Sequence, residues 1–192
     1  HRFDLDGELA TLSEARLQEL FEHTLYSLSQ GNMLSLEANQ KEKAYEQVLN
    51  YYTNNLPGMC FISKAEEQIS IIEDDYVLTG TIDLVSERGK TLEILDLKSS
   101  RRPENDSDAM ESYERQLCLY AHALERRDSR EPDRLLLYWT EEPRREDALM
   151  VVPYDPEKVE AFKCVVGRIK NKQFEVLKIP ERRICLKCDI RN

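Results

Sequence analysis

No stretch of this 192-residue chain approaches the roughly 20 consecutive apolar residues that cross a bilayer, so a helical membrane span is excluded from the reading. The N-terminus, HRFDLDGEL, lacks both the basic start and the apolar stretch of a secretory signal, and a cytoplasmic setting is the expectation. The five cysteines (Cys60, Cys118, Cys164, Cys185, Cys188) are odd in number and scattered. That argues against a disulfide framework and for reduced thiols, with Cys60, Cys118 and Cys164 in apolar contexts as small core residues. Positive charge is also short. Lys and Arg number 27 against 37 Asp and Glu, a net charge of -10, and such a field repels polyanions. There is no internal repeat, low-complexity tract or obvious linker, so residues 1–192 are treated as a single domain able to bury its own core.

Apolar spacing organises the rest. Leu12, Leu17, Leu20, Phe21, Leu25 and Leu28 recur at helical intervals, with Thr11 and Glu14 placed as a capping box. NQKEKAYEQVLNYYTNN puts Ala44, Val48, Tyr51 and Tyr52 on one face of a second helix, which Pro57-Gly58 ends. From Phe61 to Ser99 the period becomes two. EQISII, YVLTGTIDLV and TLEILDLKSS, separated by Glu73 to Asp75 and Glu87 to Lys90, predict an antiparallel three-stranded meander. A loop from Arg101 to Ser112 leads to the helix ESYERQLCLYAHALERR, with Leu117, Tyr120, Ala121 and Leu124 on its apolar side. Two short strands, LLLYW and ALMVVPY, flank a polar turn from Glu141 to Asp147. A last helix begins after Asp155 with Pro156 at its first position and Val159, Phe162, Val165, Val166 and Ile169 facing inward. The order α, α, βββ, α, ββ, α predicts an α+β or mixed α/β fold with a central sheet.

Chemistry concentrates in GTIDLV, TLEILDLKSS and ERQLCLY. On a strand, Asp96 and Lys98 of ILDLK share one face and Leu95 and Leu97 the other. Asp83 lies thirteen residues before Asp96, across a hairpin, so pairing brings two carboxylates together beside one lysine. Neighbouring carboxylates repel, and a hard cation such as Mg²⁺ or Mn²⁺ relieves the repulsion. The main-chain carbonyl of Leu97 offers a further oxygen. A cation there acidifies water and neutralises charge on a phosphate, while Lys98 is placed to hold the water or stabilise the transition state. Taken singly, a D-x-K in a strand is usually a solvated face, Tyr120 a core residue, and His122 a surface or structural residue. Arg101 and Arg102 are placed to touch phosphate, though a charged loop is the plainer explanation.

The pattern of Gly80 and Asp83, then Asp96 and Lys98, then Gln116 and Tyr120, resembles the PD-(D/E)xK nucleases of the RecB and AddB branch, over roughly residues 44 to 188. QVLNYY, LCLYAHALE and a glutamate before the first strand, Glu66 or Glu67, extend the likeness. The resemblance implies a restriction-endonuclease-like fold, a mixed sheet flanked by helices. It also implies metal ligands at Asp83 and Asp96, a catalytic Lys98, and Gln116 and Tyr120 beside the site. Members of this branch carry a metal-binding histidine on an N-terminal helix. His1 begins this chain without that helix, and the surroundings of His23 do not match the motif. Iron–sulfur members use one early cysteine and three near the C-terminus. Cys185 and Cys188 match a C-x-x-C pair, and the other ligands are absent.

The implied function is metal-dependent hydrolysis of DNA phosphodiesters by an exonuclease, in a fragment of a larger helicase–nuclease fused to a UvrD-type helicase and engaged in repair or recombination. Two rivals stand beside it. One is a free-standing CRISPR-associated RecB-like exonuclease; the other is an inactive nuclease fold kept as a DNA-binding or scaffold module. The net acidity counts against DNA. A metal site must itself be acidic, however, and a fused module can supply the affinity.

Overall fold

The computed structural model describes residues 12–30 and 36–173. Helices α1 (Glu14–Gln30) and α2 (Ala38–Asn55) precede strands β1 (Ile62–Ile72), β2 (Val77–Arg88) and β3 (Thr91–Lys98). Helix α3 (Asp108–Asp128) connects β3 to β4 (Arg134–Trp139). The short α4 (Arg145–Ala148), β5 (Leu149–Val152) and α5 (Pro156–Lys170) follow. The five strands form one sheet in the order β1-β2-β3-β4-β5, antiparallel except where β4 runs parallel to β3. A parallel neighbour needs a crossover long enough to return the chain to the same end, and α3 is that crossover. No helix among the described residues is long and apolar enough to cross a membrane.

The meander follows its turns. Arg88 pairs with Thr91, leaving Gly89-Lys90 as a two-residue turn, and Gly89 sits at φ 63, a conformation glycine adopts without steric cost. Helix α3 starts earlier than the expected loop from Arg101 to Ser112 allows. Ser107 caps it, its hydroxyl accepting from the amide of Met110, and the Met110 side chain is fully buried in the core at the first turn. Helix α5 begins as expected, with the Asp155 carboxylate accepting from the amide of Glu157.

One core lies between the sheet and α3: Ile69, Ile82, Val85, Leu92, Ile94, Leu135, Leu137 and Trp139 from the strands meet Met110, Leu117, Cys118, Ala121 and Leu124. On the other face, Tyr51 of α2 packs edge-on against Tyr138 at 5.0 Å, and burial pushes the Tyr51 phenol up to about 12. Helix α1 rests chiefly on α2, through Phe21 against Tyr45.

Several expectations need correction. Thr11 lies outside the described residues, and it is the Ser13 hydroxyl that accepts from the amide of Arg16 at the start of α1. Leu17 alone of the α1 stripe is buried, because α1 packs chiefly against one other helix. In α5, Val159 is buried, but Val165 and Ile169 are 49% and 55% exposed, so the apolar stripe is covered only in part. Cys118 is buried as expected; Cys60 and Cys164 are exposed.

Candidate active site

The alternation along β3 holds, but its sense differs from that of a solvated polar face. Leu92, Ile94 and Asp96 are all buried and point toward α3, and Lys98 follows on the same side. Asp96 is the one buried charged residue among those described, 2% exposed. Parallel pairing sets Leu137 beside Asp96 and Trp139 beside Lys98, so apolar neighbours flank the charged end of the strand.

Asp83 reaches this site by a local break in the ladder. The β2–β3 pairing ends at Leu84 with Leu95, one residue short of Asp83. There the Asp83 carboxylate takes the place of a backbone acceptor, receiving the amide of Leu97 at 2.6 Å. One hydrogen bond thus ties the first acid to the backbone between Asp96 and Lys98.

From Asp96 a polar chain runs across to α3. The Lys98 ammonium lies 2.5 Å from Asp96 Oδ2, donates to Gln116 Oε1 at 2.9 Å, and sits 4.4 Å from the centre of the Tyr113 ring. Gln116 Nε2 donates in turn to the Tyr120 hydroxyl at 2.8 Å. An ammonium has only donors, so the amide oxygen of Gln116 must face it and the amide nitrogen must face Tyr120. The fit of Tyr120 depends on Gly80. A Cβ there would lie 2.7 Å from Tyr120 Cε1, so a side chain would displace the ring.

Burial raises the Asp96 pKa above the ordinary carboxylate value; Lys98 opposes the shift and the Asp83 charge adds to it. Although Lys98 is close, no hydrogen-bond donor is aligned with Asp96 Oδ2, so the contact is one of charge without a directed bond. A cation at that oxygen would offset the cost of burying the carboxylate. The donors available, two carboxylates and the main-chain carbonyl of Leu97, are all hard oxygens and fit Mg²⁺ or Mn²⁺, with solvent or substrate oxygens completing the shell. Among the described residues, no group of three or more His, Cys, Asp or Glu gathers as a metal site.

The structure therefore brings Asp83, Asp96, Leu97, Lys98, Gln116 and Tyr120 together. It leaves His23 exposed on α1, while His1, Cys185 and Cys188 lie outside the described residues. Glu67 is engaged by Lys64 and Arg127 at 2.8 and 2.9 Å, and Lys64 foremost holds its carboxyl below the ordinary value. Glu66 is exposed at φ 52. His122 is structural, 2.9 Å from Glu73. Arg102 lies over the Trp139 ring at 5.3 Å, whereas Arg101 is 85% exposed. Sequence reasoning missed Tyr113, although it stands one helical turn before Gln116 and so had to share its face.

Comparisons with known proteins follow the same lines. Residues 3–192 match the family model described as the PD-(D/E)XK nuclease superfamily. The crystal structure named "Putative exonuclease" from Eubacterium rectale is similar with a TM-score of 0.55 at 18% identity, covering 98% of this chain and 83% of that one. SSO0001 gives a TM-score of 0.44 at 13% identity over 90% of each chain. VC1899 from Vibrio cholerae gives 0.33 at 15% over 71% of this chain and 38% of that one. No curated protein matches. The mixed five-stranded sheet flanked by helices is consistent with a restriction-endonuclease-like fold.

Proposed function

The chain belongs to the PD-(D/E)XK nuclease superfamily, and from that premise we propose that it hydrolyses DNA phosphodiester bonds with Mg²⁺ or Mn²⁺ held by Asp83, Asp96 and the Leu97 carbonyl. The observation that carries this is Asp96, a carboxylate 2% exposed with a lysine beside it, in a place where the same strand otherwise presents Leu92 and Ile94. Charge buried in a core is costly and is retained where chemistry uses it. When bound, the cation supplies charge neutralisation at the phosphate and makes a water more acidic.

The side chains supply the rest. Asp83 is fixed by the Leu97 amide through one carboxylate oxygen, and its second oxygen would ligate the cation. Lys98 has three N–H donors, one of which goes to Gln116 while the ammonium rests against Asp96 by charge; the others remain for the attacking water or a phosphate oxygen. Gln116, held by Tyr120, and the Tyr113 ring keep the ammonium from swinging away. Exposed Arg101 stands near enough in sequence to meet the DNA backbone.

The name of the Eubacterium rectale protein supports exonuclease action for this chain as well. We place the domain in a helicase–nuclease of DNA repair or recombination, where Cys185 and Cys188 would supply two of four iron–sulfur thiolates. One observation favours the scaffold reading instead: no third acidic or histidine ligand joins Asp83 and Asp96 among the described residues. The deciding experiment is digestion of end-labelled DNA by purified protein with Mn²⁺, Mg²⁺ or EDTA. Metal-dependent loss of label supports hydrolysis; intact DNA in every condition, with retention in a mobility-shift assay, supports the scaffold.

A further inference from the structure

Beyond the polar chain lies a cleft of about 310 Å³, bounded by β1, β2, α3 and α5. Gln116 and Tyr120 form its wall nearest the acids, Gly80 lies beneath the Tyr120 ring, and Leu119 and Phe162 supply apolar sides. Resting on the nuclease reading, we infer that this cleft receives the unstacked nucleobase of a nucleotide flanking the scissile phosphate.

Three features select that occupant. The volume lies at the small end of ligand pockets, enough for one base and too small for a duplex. The two rings and the aliphatic sides form a surface on which any base can stack, because every base has a π face. Arg115 is the one charged residue lining the cleft, and no acid lines it. Its side chain is 41% exposed and its contact with Glu111, at 3.8 Å, is a long surface ion pair that a phosphate can displace. A neutral flat body attached to an anion fits that lining; an amine or a polyanion without a base does not. Gln116 and Tyr120 then serve two purposes: one side holds Lys98, and the other meets the base. A substrate whose end can fray, or is single-stranded, is the class this geometry favours.

The test uses two readouts. In EDTA, where no cleavage is possible, single-stranded oligothymidylate carrying one 2-aminopurine should be quenched saturably by the parent protein. Ser112→Phe, a change at an exposed helix position at the cleft mouth, should weaken that quenching about tenfold. In Mn²⁺, moving an abasic residue one position at a time along the oligonucleotide should raise KM about tenfold at a single register, with kcat within threefold. Ser112→Phe should erase that dependence while cleaving the abasic substrate like the parent. Equal quenching by parent and Ser112→Phe, or a KM indifferent to the abasic position, overturns the cleft. If the parent cleaves no DNA, the nuclease reading fails, and the quenching comparison still decides whether the cleft holds a base.

Discussion

The two halves of β3 present the same face to the same helix and use it in opposite ways. Leu92 and Ile94 enter the apolar core beneath α3. Asp96 and Lys98, the next two inward residues, bury a charge pair that meets Tyr113 and Gln116 on that helix. The first half acts through the area it removes from water, with each fully buried aliphatic side chain contributing roughly 1.5–3 kcal/mol. The second half works against desolvation, which raises the Asp96 pKa. Under the proposed function, the four inward residues of this strand divide stability from chemistry, and substitutions along it separate the two.

The largest effect is expected at Asp96. Asp96→Asn should lower nuclease turnover about a thousandfold, roughly 4 kcal/mol of barrier, with thermal unfolding near the parent's. Normal turnover in steady-state cleavage by this variant would end the division proposed for β3. At Ile94, fully buried, truncation to alanine should instead cost roughly 3 kcal/mol of stability in urea titration, with turnover per folded molecule unchanged.

Lys98→Ala should lower turnover about a hundredfold, roughly 2.7 kcal/mol. Read as a residue on a solvated face, Lys98 would contribute at most about 1 kcal/mol to folding. At 14% exposure beside a buried carboxylate, its removal leaves Asp96 unpaired and should destabilise by more than that. The double variant Asp96→Asn/Lys98→Met sharpens the point. It removes both charges, so it should recover parental stability within about 1 kcal/mol while remaining inactive. Denaturant titration of parent, single and double variants distinguishes these outcomes.

The smallest effect is expected at the rim pair of Glu73 and His122. The hydrogen bond from His122 is the chief cause holding the Glu73 carboxyl below its ordinary value. The folded state therefore releases that proton at lower pH than the unfolded chain does. The stability gained is present above the ordinary glutamate pKa and is lost as pH falls through the depressed value. Glu73→Gln should be less stable than the parent by under about 1 kcal/mol at neutral pH, and the difference should vanish in acid. Melting temperatures measured across that range test the sign.

Much of this was legible in residue order, for reasons tied to particular segments. The period of two through TIDLV and EILDLK placed Asp83, Asp96 and Lys98 on strands of one hairpin, and helical spacing set Gln116 one turn from Tyr120. Burial was less legible. The exposed Val165 and Ile169 of α5 and the nearly unburied α1 carry the same stripes as α3, because periodicity records which face is apolar and not whether a partner covers it.

By itself, the sequence determined the main helices and strands, their order and the set of chemical groups, though not the short α4 in the expected turn from Glu141 to Asp147, since backbone periodicity, caps and turn residues are local properties. Tertiary structure alone decided that β4 runs parallel beside β3 and that α3 lies over Asp96. It also substituted the Asp83 carboxylate for a backbone acceptor and set the Tyr120 ring against Gly80. These depend on which surfaces meet across the sheet. The energy of a buried charge is set by that meeting, through the water it excludes and the lysine it brings near.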